Sequence, residues 1–195
     1  MRVFFLAVLF PIALLLSLAP RASIANDSSR AADAILSDIY QVSSLLASLT
    51  RQVTPLSITP APPASSIQSI RFALQDLTAQ METSNLRASS APQLDDAASA
   101  AIANAIADLK DAAFAALGAI ESRRMVFDAA SAPGAMLGFV SARRFVRADL
   151  VALREATTDF GGNLTTKLVR GVRIAAPLVV GDLHWHFTRV IDVMS

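Results

Sequence analysis

Apolar residues recur along the chain with the spacing of an α-helix. In the first clear example they stand alternately four and three positions apart, which places all of them on one face of a helix. That stripe comprises Ile35, Ile39, Val42, Leu46, Leu49 and Val53. No stretch alternates apolar and polar residues for long enough to predict a β-strand. The pattern therefore favours an all-α fold.

The same spacing predicts three further helices and a last helical segment. Their apolar stripes run from Ile67 to Met81, from Leu94 to Phe127, from Phe139 to Phe160, and from about Leu164 to Met194. The third stripe is rich in alanine, the residue with the highest intrinsic helix propensity. Small side chains let neighbouring helices approach closely or leave space between them.

Helix-breaking residues separate these stripes. Proline-containing segments at residues 59–66, 89–92 and 131–134 predict connections, because proline cannot continue a helix. The pair Gly161-Gly162 predicts a stop or a kink at the end of the fourth helix.

The last segment carries Pro177 and Gly181, which predict a bend or a division into two pieces. The whole pattern predicts an antiparallel bundle of four to five helices joined by short loops. No cysteine is present, so no disulfide takes part. A chain of this length can bury a sufficient core without one.

The N-terminus resembles a secretory signal peptide. Arg2 precedes an apolar run over residues 3–19, and Ser23-Ile24-Ala25 supplies a small-residue exit. We expect cleavage after Ala25, which leaves residues 26–195 as a single helical-bundle domain. An uncleaved membrane anchor is the alternative, but the run is short for a full span of about 20 residues. We therefore expect a secreted protein without an integral membrane span after cleavage.

The remaining chain offers little for catalysis, metal binding or nucleic-acid binding. Residues 26–195 contain 15 basic and 16 acidic residues, and this balance does not favour nucleic acid. His184 and His186 stand two positions apart, on different sides of a helix, whereas zinc-binding helices space histidines by four. We predict surface or half-buried histidines, a core position for Trp185, no metal or other cofactor, and no enzymatic activity.

Two sequons could accept N-linked glycans. Asn26 begins the first of them, but it would be the first residue after cleavage and so a poor acceptor. Asn163 begins the second and follows the two glycines, where we expect an exposed turn.

Three segments resemble the hydrophobic surface binding protein A family of filamentous fungi. They are the opening helix around Ile35-Leu36-Ser37-Asp38-Ile39, the segment Arg124–Asp128, and a spaced series on the fourth helix. That series comprises Val146, Leu150, Leu153, Thr157, Phe160, Leu164 and Lys167. The likeness covers most of residues 30 to 170, and the sequence departs from the family pattern after Lys167.

The resemblance implies a secreted or cell-wall protein that adsorbs to hydrophobic surfaces, with recruitment of lipolytic enzymes to those surfaces as a further expectation. Related cell-wall mannoproteins instead hold a fatty acid in an apolar tunnel, and the residues alone do not choose between the two modes. A structural wall protein and a small lipase-like enzyme are the rival classes. The expected partners are hydrophobic surfaces or fatty acids. The candidate apolar-binding residues are Ile39, Val42, Leu46, Leu74, Leu77, Ile106, Leu109, Leu150, Leu153 and Phe160.

Overall fold

The computed structural model is built from helices, five of them long. It describes the backbone of residues 9–60, 62–130 and 141–195, and the side chains of these ranges from residue 27 onward. The elements are α1 (Leu9–Val53), α2 (Ala64–Ser90), α3 (Asp96–Ser122), α4 (Arg124–Ala129), α5 (Ala142–Lys167), α6 (Arg170–Arg173) and α7 (Ala176–Val193). The described ranges contain no β-strand. The predicted all-α bundle is confirmed.

The five long helices form a closed ring. Helix α1 packs against α2 and α3, α5 packs against α2 and α7, and α7 also packs against α3. Going round the bundle, the order is therefore α1, α2, α5, α7, α3 and back to α1. The short helices α4 and α6 lie in the connections before and after α5.

Successive long helices alternate in direction, but several ring neighbours run parallel. The guanidinium of Arg123, at the end of α3, donates to the Thr54 carbonyl just beyond α1, so α1 and α3 end together. Helices α2 and α5 are also parallel, because Arg71 pairs with Asp149 near their starts. Parallel neighbours arise because α2 and α3, and likewise α3 and α5, follow each other along the chain but are not neighbours in the ring.

The predicted stripes supply the core. Val53, Ile67, Leu74, Leu77 and Ile102 are completely buried, and other stripe residues on α1, α3, α5 and α7 join them in one continuous cluster. Trp185 is an exception, because 57% of its surface is exposed. The prediction that it packs in the core is wrong.

The end of the fourth predicted helix differs from the sequence expectation. A stop or kink was predicted at Gly161 and Gly162. Helix α5 instead continues through both glycines and ends at Lys167. Gly161 lies against α7, and this packing compensates for the low helix propensity of glycine. The break instead follows Lys167. There the backbone N–H of Leu94 donates to the Lys167 carbonyl, and the backbone N–H of Val169 donates to the Ser99 hydroxyl.

The last segment is divided, as predicted, but it does not begin near Leu164, because Leu164 lies within α5. Helix α6 ends at Arg173 and α7 begins at Ala176, with Pro177 in its first turn, where proline costs no hydrogen bond. Gly181 lies inside α7 without interrupting it. Among the described residues, no helix combines the length and the apolar character that a membrane crossing requires.

Candidate functional site

An elongated cavity lies between α3, α5 and α7. The cavity volume is about 120 Å³, roughly ten times the space that a single water molecule needs. Its lining on α5 extends from Arg154 to Thr165, about 16 Å along the helix axis at 1.5 Å per residue. Leu168, Val172 and Ala176 continue the lining beyond the end of α5.

A second, smaller space of about 20 Å³ lies deeper in the bundle, where α1 and α2 also contribute to the lining. The two spaces share five lining residues, so they are neighbours separated only by side chains. The shared residues are Met81, Leu109, Thr157, Leu183 and Phe187.

Seven of the ten predicted apolar-binding residues border one of these spaces. Ile106, Leu109 and Phe160 line the larger one, and Val42, Leu46, Leu77, Leu109 and Leu153 line the smaller one.

The other three, Ile39, Leu74 and Leu150, are buried core residues that border neither space. All ten are buried except Ile106, which is partly buried against the core.

The sequence did not identify the contribution of α7. Leu183 and Phe187 are buried and line both spaces, while Val179 and Val180 line the larger one. Their spacing within the last segment was visible in the sequence. What could not be read there was that α7 lies between α3 and α5 and closes the ring.

Polar groups in the lining have their hydrogen bonds within the protein. The hydroxyls of Thr157, Thr158 and Thr165 each donate to the carbonyl four residues earlier, at 2.7, 2.9 and 2.6 Å. A hydroxyl bonded in this way loses little when water leaves the cavity. The cavity is therefore apolar in its hydrogen bonding as well as in most of its side chains.

Arg154 lines one end of the cavity, where α5 faces α7. Its Nη1 donates to the Thr188 hydroxyl at 3.4 Å, and no ion pair among the described residues includes it. One turn further along α5, the Thr158 hydroxyl lies 3.4 Å from Nδ1 of His184, which is exposed. This is the polar end of an otherwise apolar space.

Gly161 allows α5 and α7 to approach closely beside the cavity. A Cβ atom added at Gly161 would lie 2.7 Å from Cγ2 of Val180, which is shorter than any normal contact. At Gly162 the same atom would meet nothing within 4 Å. The two adjacent glycines thus have different structural roles.

Exposed apolar side chains lie on the outer face of α7 and in the turn that precedes it. Ile174, Leu178 and Trp185 are 72%, 77% and 57% exposed, and their spacing of four and seven residues places them along one side of the segment. Arg189 lies over the Trp185 ring at 5.5 Å. We call these three residues the outer apolar stripe.

The two glycosylation candidates are not equivalent in the structure. The side chain of Asn26 lies outside the described residues. Asn163 lies within α5, and not in an exposed turn as predicted, since the helix does not stop at the glycines. Its Nδ2 donates to Oδ1 of Asn85 on α2 at 2.8 Å.

The histidines lie as predicted, with His184 exposed and His186 half-buried against the Phe114 ring. In the described part of the chain, no three His, Cys, Asp or Glu side chains are grouped so that they could hold a metal ion. The acidic pair Asp95-Asp96 caps α3, because Oδ1 of Asp95 accepts from the Ala98 amide at 2.8 Å.

Fold and site together define a class: a closed five-helix bundle that surrounds an apolar cavity. The chain belongs to the hydrophobic surface binding protein A family, whose model matches residues 32–166. The resemblance predicted from the sequence is confirmed.

Solved structures share this fold at low sequence identity. The chain is similar to Afmp4p, solved in complex with palmitic acid, with 22% identity, a TM-score of 0.74, and coverage of 84% of this chain and 99% of that one. It is also similar to ligand binding domain 1 of the Penicillium marneffei MP1 protein, complexed with arachidonic acids, with 9% identity, a TM-score of 0.70, and coverage of 86% and 99%. No curated protein matches the sequence.

Proposed function

We propose that this protein binds one long acyl chain, such as a fatty acid, in the cavity between α3, α5 and α7. The observation that carries the proposal is an elongated apolar space whose polar lining groups are largely satisfied within the protein. Its length along α5, about 16 Å, is close to the depth of one leaflet of a bilayer's hydrocarbon core, roughly 15 Å.

Apolar burial supplies the driving force. Removing apolar surface from water stabilises a complex by about 25 cal/mol per Å², and an extended acyl chain presents a large apolar surface for its size. The structures of Afmp4p with palmitic acid and of the MP1 domain with arachidonic acids support the proposal, because they have the same fold.

Titration of the purified protein with palmitate tests the proposal. We expect saturation near one ligand per chain and an increase in the free energy of unfolding, since a ligand bound only to the folded state stabilises it. The increase is about 2.7 kcal/mol when free ligand exceeds the Kd by 100-fold. An unchanged unfolding transition at saturating palmitate would contradict acyl binding inside the bundle.

Adsorption to hydrophobic surfaces is the second candidate function, and the outer apolar stripe favours it. Exposed large apolar side chains gathered on one face are a feature of interaction surfaces. We expect adsorption to alkyl-coated beads to saturate with bead area and to change the fluorescence of Trp185. If the protein binds palmitate in solution but does not adsorb to the beads, surface adsorption is rejected and binding inside the bundle stands alone.

The protein acts without catalysis in this proposal, and a secreted lipolytic enzyme is its proposed partner at the surface. Co-adsorption tests the partnership: beads coated with this protein should retain more lipase than bare beads or beads coated with an unrelated helical protein. Hydrolysis of esters by the pure protein, abolished by a point substitution, would contradict the non-catalytic assignment.

Export is also part of the proposal. Removal of residues 1–25 would leave the buried stripe from Ile35 to Val53 in place. N-terminal sequencing of protein from culture medium should begin at Asn26. Retention inside cells with Met1 intact would contradict both export and the expected cell-wall or extracellular location.

A further inference from the structure

We propose that Arg154 is the anchor for the ligand's carboxylate, which makes the cavity selective for acids over neutral lipids of the same chain length. This inference rests on the proposed acyl-binding function and deepens it. Arg154 is the only Lys or Arg side chain that lines the cavity in the described part of the chain. It stands at one end of the lining, where a head group would sit when the tail fills the rest.

Most N–H donors of the Arg154 guanidinium have no described hydrogen-bond partner. Arginine has five N–H donors, and the single hydrogen bond described for the Arg154 guanidinium is the 3.4 Å contact with Thr188. Four arginines in the described part of the chain instead have a carboxylate partner, as Arg71 has in Asp149 and Arg143 has in Asp128. A charged side chain that faces an apolar cavity without such a partner is suited to receive an anion.

One acid on α7 and one on α3 are paired with other cations. On α7, the Asp182 carboxylate pairs with Lys110 of α3 at 3.1 Å, and Glu121 of α3 pairs with Arg189 of α7 at 2.6 Å. Both pairs lie on the α3–α7 side, so they leave Arg154, on α5, as the available positive charge at the polar end of the cavity.

Thr158 and His184 complete the polar end. The Thr158 hydroxyl donates to the Arg154 carbonyl at 2.9 Å and lies 3.4 Å from Nδ1 of His184. This arrangement places the imidazole beside the cavity. His184 is exposed, so the anchor lies where the cavity meets solvent.

The tail direction follows from this placement. From Arg154 the lining continues past Gly161 and Leu164 to Leu168 and Val172, without another Lys or Arg among the described residues of the lining. The carboxylate therefore lies between α5 and α7 near Thr188, and the methyl end points toward α6.

Comparison of palmitate with hexadecanol and methyl palmitate tests the anchor, because all three share one chain. The wild-type protein should bind palmitate more tightly than either neutral lipid. Arg154→Met keeps most of the side-chain length and removes the charge. We expect it to weaken palmitate binding by about 10-fold or more, the loss typical of a hydrogen bond to a charged group, while hexadecanol binding stays within about twofold. Arg154→Lys should retain part of the preference for the acid.

Arg147→Met is the matched control. Arg147 lies two turns earlier on the same face of α5, bonds to the Ser195 hydroxyl and does not line this cavity. Its substitution should leave the binding of all three lipids unchanged.

The outcomes separate the anchor from the proposed function. Equal loss of palmitate and hexadecanol in Arg154→Met would show a structural role and overturn the anchor. Equal affinity of the wild type for all three lipids would also overturn it, while acyl binding would stand. Failure of the wild type to bind any of them would overturn the proposed function itself.

Discussion

The two sides of the bundle use similar apolar stripes but pack them differently. Where α1 and α2 meet, Val53, Ile67 and Leu74 have no exposed surface and line neither of the two spaces. Where α3, α5 and α7 meet, the lining includes small residues such as Ala103 and Ala176, and space is left between the helices. The comparison teaches that side-chain size at facing positions, more than the apolar pattern itself, determines whether a stripe forms solid core or lines a cavity.

The largest expected effect comes from truncating a leucine on each side. Leu74 on α2 is completely buried and borders neither cavity, so Leu74→Ala should lower the free energy of unfolding by about 3 kcal/mol or more. Leu183 lines both cavities and already lacks packed neighbours on one side, so Leu183→Ala should cost about half as much. Chemical denaturation measures both. Equal losses would contradict the difference in packing.

The two neighbouring glycines of α5 should respond to alanine with opposite signs. Gly161→Ala forces a contact with Val180, a stiff β-branched residue, and should destabilise the protein by about 1–3 kcal/mol. Gly162→Ala meets open space and should stabilise it by up to about 1 kcal/mol, since alanine is the better helix former. Thermal unfolding of the two variants provides the comparison. If both substitutions stabilise the protein, α7 must be able to move away from α5 at Val180 at little cost in free energy.

A buried carboxylate tests how the tightly packed side tolerates charge. Asp38 on α1 is almost fully buried beside Arg87 and Gln80 of α2. Burial raises the pKa of Asp38 above its usual value of 3.8, although Arg87 and Gln80 oppose the shift. Because the folded-state pKa is raised, Asp38 makes the protein less stable as pH increases from about 3.8 through that pKa.

Asp38→Asn removes this charge and keeps an acceptor oxygen. The variant should therefore be more stable than the wild type at neutral pH, and the advantage should disappear at pH values well below 3.8, where the wild-type carboxyl is protonated in both states. Denaturation at a series of pH values measures it. A variant less stable at neutral pH would show that the Arg87 pair outweighs the desolvation of Asp38.

The smallest effect on stability is expected on the outer apolar stripe. Trp185→Ser should change the free energy of unfolding by no more than about 0.5 kcal/mol, because the side chain is mostly exposed. The same change should reduce adsorption to alkyl-coated beads. Tyr40, 60% exposed on α1, provides the matched control, and Tyr40→Ser should leave adsorption unchanged. Equal adsorption by both variants would show that the outer apolar stripe does not contribute to surface binding.

Periodicity predicted the helices well, because a stripe of spaced apolar residues determines both the element and the face that it buries. Ile35 to Val53 and Ile67 to Met81 lie in the core as their spacing indicated. Local signals were weaker guides where tertiary contacts oppose them: Gly161 continues a helix because α7 packs against it, and Trp185 remains outside the core.

The cavity itself could not be predicted from the sequence. Its lining combines residues on α3, α5 and α7 that are far apart along the chain, such as Ile106, Arg154 and Leu183. Helical spacing shows which face of each helix is apolar, but it does not show which helices are neighbours. The sequence around Arg154 does not distinguish it from other charged residues, because its position at the cavity depends on α7 lying beside α5.

The ring order of the helices also has a consequence for how the cavity forms. Helices α2 and α3 can both pack on α1, and α5 can add to the free side of α2 before α7 is in position. These four helices would form an open trough, and α7 would complete the ring by docking between α3 and α5. The cavity then comes into existence in the final docking step. Local undocking of α7 would open it again for ligand exchange without unfolding the other four helices.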